Sequence, residues 1–385
     1  MTEKRIYFIS ELPPVNTHAS SVIFYRHFKK FEEEGYKIIW VTDKNSFLKA
    51  KTKFPGNWRS ILLPNRRWHL PPYKAEGLFQ KYRFRYYLHV FLKREQLQIK
   101  SSVIISYING QFLAPFAAYL SRELRIPMIG FFHDDILELN FFRDEITLRK
   151  NTTKVLNACR YVFAVSDEFK LTWPNHTDKF QLLYPIPEDY KISGIKRPNI
   201  SEGMTFAYSG AVYDEIVPFL LLIAEMLNQL SYKLIIVGDK SKTGQIQKKF
   251  PETVTCFDLF DTPSEGNNFI AENADYGIIP YPDEIHKMPW ISTCYPSKFI
   301  QYTQLHLPTI IIAPPSSAIG KWCRKHQWPL YLSDYDLNSF SALVRSTKSE
   351  SVRKHMDYWR NSHFSPDEIH QKVRNVIWQL ITPIS

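Results

Sequence analysis

Short, almost uninterrupted apolar runs alternate with segments of helical periodicity along nearly the whole chain, and this alternation constrains the fold most. Runs such as VIISYI (103–108) and MIGFF (128–132) are apolar nearly throughout rather than at every second residue. Such runs are typical of parallel strands that are buried on both faces. Because helical segments separate the strands, they form βαβ units. The sequence therefore predicts an α/β protein built on parallel sheets.

The alternation stops between residues 184 and 203 and then starts again. This stretch contains three prolines and has no periodicity, which is typical of a linker. We therefore expect an N-terminal Rossmann-like domain over 1–190 and a C-terminal one over 200–350, with helices in 351–385 that pack back across the junction. In open α/β sheets ligands bind beyond the carboxyl ends of the strands. Two such sheets that face each other would place those ends along one central cleft.

Charge and composition exclude several classes of protein. The chain has 49 basic and 38 acidic residues among 385, and 32 of the basic but only 19 of the acidic residues precede Pro198. No apolar run approaches the 18 or so residues of a membrane span, and no secretory leader pattern opens the chain. The four cysteines are scattered, without C-x-x-C spacing, so neither a zinc site nor a disulfide framework is expected. These features predict a cytoplasmic protein that needs no metal.

Residues 66–94 carry much of the positive charge. They hold eight Lys or Arg residues and eight aromatic residues against a single Glu. From Lys74 to Gln96 the periodicity predicts a helix. The stripe expected to face the core is Ala75, Phe79, Tyr82, Tyr86 and Val90, and the opposite side holds Lys74, Lys81, Arg85, Leu88 and Leu92. Cations mixed with apolar side chains suit a helix that lies on an anionic membrane, and a solvated basic face is the alternative. Nucleic acid is not an expected partner, because no binding motif accompanies the charge.

The sequence CYPSKFIQY (294–302) is the most informative motif. Pro296 interrupts the loop, Ser297 is expected to cap the following helix, and Lys298 falls in its first turn. Free N–H groups, a hydroxyl and an ammonium would then converge on the positive end of a helix, which is an anion-binding arrangement. A lysine in a first turn opposes the helix dipole, and a bound phosphate group would explain it. A plain capped helix is the alternative.

Two further loops after strands could contact the same anion. In YSGA (208–211), Gly210 lets the backbone approach a ligand. In VGDK (237–240), Lys240 supplies a second ammonium. Such turns are common at strand ends, so one loop alone is weak evidence for an anion site. The three loops together are stronger evidence for it.

The first half offers two loops after strands. The loop PPVNTHAS (13–20) joins the first strand to the first helix, and its polar side chains Asn16, Thr17 and His18 are candidates for binding an acceptor. His133 and Asp134 follow the strand MIGFF and could orient a sugar hydroxyl or act as acid and base. No G-x-G-x-x-G follows the first strand, which argues against a nicotinamide enzyme. The D-x-D at 334–336 is expected to cap a helix rather than bind metal.

With these motifs in place, the chain resembles a GT-B glycosyltransferase, closest to the family 4 type that uses nucleotide-diphosphate sugars. The opening of the chain, up to about residue 42, resembles the family's first strand, loop, helix and second strand. The segment ADYGIIPY…YPSKFIQYTQLHLP (274–308) is similar to the family's "AD…PY…PSK…EY…G-x-P" pattern. The resemblance implies two Rossmann-like domains, with the nucleotide sugar on the second and the acceptor on the first. It implies His133, Asp134 and Lys298 as catalytic residues. The donor-binding residues that it implies are Ser209, Gly210, Lys240, Phe257, Asp258, Tyr281, Tyr295, Ser297 and Gln301.

The chain also departs from the family pattern. Thr293 and Gln301 stand where the family has the two carboxylates of E-x7-E, and residues 211–215 lack the usual Arg and Lys. The expected function is metal-independent transfer of a sugar to a glycan or lipid-linked acceptor in bacterial surface polysaccharide synthesis, without a cofactor, by a protein that associates peripherally with the inner face of the membrane. Two alternatives stay open, namely a nucleotide-sugar epimerase of the same fold and a catalytically silent sugar binder.

Overall fold

The computed structural model describes residues 3–17, 19–64, 78–95, 101–109, 112–138, 145–190, 203–347 and 350–381. The chain divides into two compact units. The first comprises residues 1–184 and 370–385, and the second comprises residues 185–369. The linker expected between 190 and 200 lies largely outside the described residues, so the exact domain boundaries stay a prediction.

The first unit contains a seven-stranded sheet with the order β3-β2-β1-β4-β5-β6-β7. Every neighbouring pair is parallel. The central strands β4 and β5 are buried at every residue, as their continuous apolar sequence predicts. The strands are β1 (Arg5–Ile9), β2 (Lys37–Asp43), β3 (Arg59–Leu63), β4 (Ser102–Tyr107), β5 (Met128–Phe132), β6 (Cys159–Ala164) and β7 (Phe180–Leu182).

Helices connect these strands. Within α1, Phe24 and Phe28 pack on Phe8 of β1, with ring centroids 4.6 and 5.0 Å away. The helices are α1 (Ala19–Glu33), α2 (Lys44–Ala50), α3 (Leu78–Arg94), α4 (Leu113–Leu124), α5 (Glu145–Ala158) and α6 (Phe169–Thr172), followed by a 3-10 helix (Pro174–Lys179). No helix within the described ranges is both long and apolar enough to cross a bilayer.

The face of α3 that packs on the core differs from the one that the sequence predicts. Tyr82 and Tyr86, expected in the core, are 65% and 55% exposed, whereas Phe84, Tyr87 and Phe91 are buried. Aromatic residues recur at three- and four-residue steps on two sides of this helix, so periodicity alone allowed either side. The structure selects the side on which Phe84 and Tyr87 meet aromatic rings of the α4 region, Phe112 and Phe116. The predicted helix residues Lys74 and Ala75, like the rest of 65–77, lie outside the described residues.

The second unit contains a six-stranded parallel sheet with the order β10-β9-β8-β11-β12-β13. Its first strand is central, and the chain builds outward on one side and then on the other. This is the doubly wound order, which places a topological switch point between β8 and β11. The strands are β8 (Thr205–Ser209), β9 (Lys233–Val237), β10 (Val254–Phe257), β11 (Tyr276–Pro280), β12 (Thr309–Ile312) and β13 (Tyr331–Leu332).

Helices connect the strands of the second unit as well. They are α7 (Val217–Gln229), α8 (Lys240–Lys249), α9 (Pro263–Asn273), α10 (Ser297–Gln304), α11 (Ala318–Lys325), α12 (Leu337–Ser346) and α13 (Glu350–Ser362). Helix α8 begins at Lys240, because the Asp239 side chain caps it by accepting from the Ser241 N–H. The D-x-D aspartate Asp336 caps α12 through the Ser339 N–H, as expected.

The last helix, α14 (Pro366–Ile381), starts in the second unit and belongs to the first from His370 onward. There the Nδ1 atom of His370 lies 3.2 Å from Nδ1 of buried His27 on α1. The Phe31 ring lies 4.3 Å from the His370 ring, and a carboxylate oxygen of Glu34 lies 3.4 Å from its Nε2. The C-terminal helix is thus an integral part of the first unit's core.

Candidate functional site

Lys298, in the first turn of α10, is half-buried and holds its ammonium against an aromatic ring. Its Nζ atom lies 3.9 Å from the centroid of the Tyr208 ring, at the end of β8. Burial lowers the pKa of Lys298 to about 7. Within the described parts of the chain, no carboxylate forms an ion pair with it. A desolvated cation without a carboxylate partner is costly, and such groups cluster at functional sites.

The start of α10 differs in one respect from its prediction. Pro296, not Ser297, occupies the N-cap position, and no side chain caps the helix. The prediction of Ser297 as the cap was wrong because the extended backbone at Pro296 (φ −70°, ψ 110°) already ends the loop. Ser297 is the first helical residue and is exposed. The helix therefore presents its first turn without a capping side chain of its own, beside the Lys298 ammonium.

The loop after β8 is held close to this ammonium. Gly210 has φ +118°, a backbone conformation that favours glycine, and a Cβ atom there would lie 3.4 Å from Nζ of Lys298. The Gly210 N–H donates to the Val237 carbonyl (2.9 Å). The Ser209 N–H donates to the hydroxyl of Tyr302, with N and O 2.7 Å apart. The predicted residues Ser209 and Gly210 are thus brought to Lys298 by two defined hydrogen bonds.

Tyr302 and Tyr208, which sequence reasoning did not single out, hold the loop after β8 in place. The ring of Tyr302 passes so close to β11 that a Cβ atom at Gly277 would lie 2.4 Å from its Cδ2. The Tyr208 hydroxyl donates to the Ala211 carbonyl (2.7 Å), which fixes the loop beyond Gly210. One signal was present in the sequence: a glycine inside an apolar strand often marks a close approach.

Lys240, Phe257 and Asp258, which were also predicted to bind the donor, lie along the same edge of the sheet. Lys240 is exposed at the start of α8, and its N–H donates to the carboxylate of Asp258 after β10 (3.2 Å). Phe257 packs on Phe269, with centroids 4.7 Å apart. From the strand order, the edge carries Asp258, Lys240, Gly210 and Lys298 in that sequence.

Three further residues that were predicted to bind the donor make contacts with other parts of the protein. Buried Tyr281 follows β11, and its carbonyl accepts from the hydroxyl of Tyr335 (2.7 Å). Tyr295 packs among aromatic side chains, with its ring centroid 5.8 Å from that of Trp322. The Gln301 side-chain oxygen accepts from the Glu188 N–H (3.0 Å). Their roles in donor binding stay predictions.

In the first unit, His133 and Asp134 follow β5. His133 is buried and stacks on Phe24, with centroids 5.2 Å apart, and burial lowers its pKa to about 3. Its imidazole is therefore neutral at physiological pH, and a pKa this low makes it a weak base, so its acid–base role stays a prediction. The carboxylate of Asp134 accepts from the hydroxyl of Tyr107 at the end of β4 (3.0 Å).

Of the predicted acceptor residues, Asn16 and Thr17 are half-buried in the loop after β1, and His18 lies outside the described residues. The Thr17 N–H donates to the Val15 carbonyl (2.9 Å), which folds this loop into a tight turn. The Ser20 hydroxyl lies 3.3 Å from that of Tyr107, so the start of α1 is adjacent to the residue that holds Asp134.

Two doubly wound parallel sheets in one chain, together with a final helix that starts in one unit and ends in the other, define the GT-B fold of glycosyltransferases. Solved structures of such enzymes match the chain over nearly its full length. HepE from Anabaena, solved in complex with UDP, superposes with a TM-score of 0.65 at 11% identity and covers 98% of this chain and 100% of its own.

A glycosyltransferase from Rickettsia africae gives a TM-score of 0.67 at 10% identity, covering 99% of each chain. The lipopolysaccharide outer core galactosyltransferase WaaB gives 0.59 at 12% identity, covering 97% of this chain and 99% of its own. No protein-family model matches the sequence, and no curated protein sequence matches it either. At these identities the likeness establishes the fold.

Proposed function

We propose that the protein is a glycosyltransferase that moves a sugar from a nucleotide-diphosphate sugar to a glycan or lipid-linked acceptor. The observation that carries the proposal is the Lys298 ammonium, which is desolvated, has no carboxylate partner in the described residues, and stands at the uncapped start of α10. A diphosphate would supply the missing negative charge. HepE, which shares this fold, has been solved with UDP and with UDP and glucose.

The chemistry follows from the charge that develops as the sugar leaves. When the bond between the anomeric carbon and the phosphate oxygen breaks, the electron pair stays on that oxygen. The ammonium of Lys298 and the first-turn N–H groups of α10 stabilise the resulting negative charge. The acceptor hydroxyl forms the new bond to the anomeric carbon, and its proton passes to solvent or to the phosphate oxygen that has just become anionic. Because this arrangement already provides positive charge, we infer that no metal is required, and activity should survive treatment with EDTA.

Lys298→Ala tests the proposal directly. Loss of one group that stabilises transition-state charge typically lowers turnover by about 100–1000-fold. The matched control is Lys248→Ala, which removes an exposed lysine of α8 in the same unit and should leave turnover unchanged. Nucleotide release from UDP-, GDP-, CMP- and dTDP-linked sugars is measured with candidate acceptors, and thermal melting verifies the fold. Near-normal turnover in folded Lys298→Ala protein would refute the role of Lys298.

The same assay separates the alternatives. An epimerase converts the donor without any acceptor, and a silent binder releases no nucleotide from any donor. Product analysis of the donor alone, followed by donor with acceptor, distinguishes the three activities.

The exposed face of α3 supports a membrane surface as a further partner. Beside Tyr82 and Tyr86, it exposes Leu92 at 41%. The exposed basic residues of this helix are Lys81, Arg85, Lys93 and Arg94. Cations interleaved with exposed aromatic and aliphatic side chains fit the interface of an anionic bilayer, where each cation contributes about 1 kcal/mol. An enzyme held there would meet a lipid-linked acceptor in bacterial surface polysaccharide synthesis.

Vesicle flotation tests this partner. The protein should float with vesicles that contain anionic lipid at low salt, and not with neutral vesicles. The triple variant Lys81→Glu, Arg85→Glu and Lys93→Glu should stay in the dense fraction. Failure of the unmodified protein to bind anionic vesicles would remove the membrane from the proposal and leave the sugar transfer standing.

A further inference from the structure

Two aromatic side chains lie on the loops on either side of the switch point of the second sheet. Tyr213 is three residues beyond Gly210 in the loop after β8, and its side chain is 46% exposed. Trp290, half-buried, lies on a 3-10 helix (Pro289–Ser292) in the segment between β11 and α10. Their ring centroids are 5.4 Å apart and their planes meet at 68°. In this edge-to-face arrangement at most one face of one ring is covered by the edge of the other.

The position of Trp290 is fixed by its surroundings. Its carbonyl accepts from the Cys294 N–H (3.0 Å) and the Thr293 N–H (3.3 Å). Its ring lies 6.5 Å from that of buried Tyr281, nearly perpendicular to it. The next residue, Ile291, is fully buried and anchors the turn. An aromatic side chain held in this way loses little conformational entropy when a ligand binds to it.

The same two loops lie next to the Lys298 ammonium. Tyr208 and Gly210, which flank its Nζ atom, lead within a few residues to Tyr213. Cys294, whose N–H donates a hydrogen bond to the Trp290 carbonyl, lies close to Lys298. It raises the pKa of Lys298, an effect smaller than the lowering by burial. The aromatic pair therefore borders the place where the proposed diphosphate binds.

We propose that Tyr213 and Trp290 form the surface that holds the sugar ring of the donor. The inference rests on the proposed function, since it takes the diphosphate at Lys298 as given. The sugar is joined to the outer phosphate through a single oxygen, so it must lie within a few ångströms of the ammonium. One face of a hexopyranose presents C–H groups, and such faces pack on aromatic rings. Tyr213 is 46% exposed, so part of its ring is accessible to a ligand.

Binding measurements with paired ligands test this assignment. The probes are UDP, GDP and dTDP, each compared with its glucose conjugate by isothermal titration calorimetry. An aromatic contact contributes about 0.5–1.5 kcal/mol, which corresponds to about a two- to twelvefold change in Kd. Tyr213→Ala should weaken binding of the nucleotide sugar by this factor and leave binding of the nucleoside diphosphate unchanged. Tyr213→Phe retains the ring and should bind both ligands normally.

Each other outcome is decisive. Equal weakening of both ligands, or no change in either, would overturn the assignment while the proposed function stands. A raised KM for the acceptor with unchanged donor binding would also overturn it. If the unmodified protein binds none of the six ligands, the proposed donor class fails, and the assignment fails with it. Trp290→Leu provides a second test. If this variant binds the nucleoside diphosphate with unaltered affinity, its binding of the glucose conjugate should be weakened as in Tyr213→Ala.

Discussion

The pH dependence of donor binding follows from the position of Lys298. A free lysine has a pKa near 10.4, but burial over the Tyr208 ring lowers that of Lys298 to about 7. At pH 7 about half of the unliganded molecules therefore carry a neutral amine, and only the charged half can attract a diphosphate. Donor binding should thus be strongest in mildly acidic solution and should weaken as the pH rises through 7.

The size of the effect follows from the fraction of molecules that are competent to bind. The apparent Kd equals the intrinsic Kd divided by that fraction. Since the protonated fraction is about nine-tenths at pH 6 and about one-tenth at pH 8, the apparent Kd should rise about tenfold across this interval. At pH 7 binding should take up about half a proton per donor, which drives the amine to its charged form.

Calorimetry at constant ionic strength measures both quantities. The ligand should be the nucleotide sugar, because the terminal phosphate of a nucleoside diphosphate itself titrates near pH 6. Titrations in buffers of different ionisation enthalpy give the number of protons taken up. Lys298→Arg carries a guanidinium that stays charged, and its binding should be independent of pH in this range. A flat profile in the unmodified protein, or the same tenfold slope in Lys298→Arg, would refute the reasoning.

Two further predictions concern stability. Gly277→Ala would force a Cβ atom to 2.4 Å from the Tyr302 ring and should cost about 1–3 kcal/mol of unfolding free energy. Gly244→Ala, in a helix with open space around it, should instead stabilise by up to about 1 kcal/mol, and opposite shifts in thermal melting check the pair. Because the pKa of His133 is about 3 in the folded state and near 6.5 when unfolded, the unfolded chain binds the proton first and stability falls as the pH drops from 6.5 towards 3. At pH 5 the protonation of His133 in the unfolded chain lowers the unfolding free energy by about 2 kcal/mol relative to pH 7.5, as urea unfolding at the two pH values would measure. His133→Phe should lose about 2 kcal/mol less than the unmodified protein over the same interval.

Much of the fold could be predicted from the sequence because buried parallel strands have a distinctive pattern. The apolar strands β4 and β5 and the restart of the alternation after residue 203 are properties of local sequence. Helix faces are different, because they depend on what packs against them. Tyr82 and Phe84 belong to equally regular aromatic stripes of α3, and only contact with Phe112 and Phe116 decides which stripe is buried.

The candidate site could be predicted in part. The sequence singled out Lys298 because a cation in a first helical turn is unusual, and Gly210 because glycine after a strand permits a close approach, and the structure places these two residues together. The tyrosines that arrange them were missed, since the bond between Tyr302 and Ser209 joins residues 93 positions apart. Trp290 was missed for a similar reason, because its partner Tyr213 lies on the neighbouring strand's loop. Contacts of this kind depend on strand order, which spacing along the chain does not specify.

The path of α14 has a consequence for how this chain is made. The segment that packs His370 against His27 is synthesised after the whole second unit, yet it completes the unit that is synthesised first. During translation, α1 must therefore wait for more than 180 intervening residues of the second unit before its buried histidine is covered. The order of synthesis and the order of assembly are therefore opposed, and the core of the first unit stays incomplete until that helix has been made.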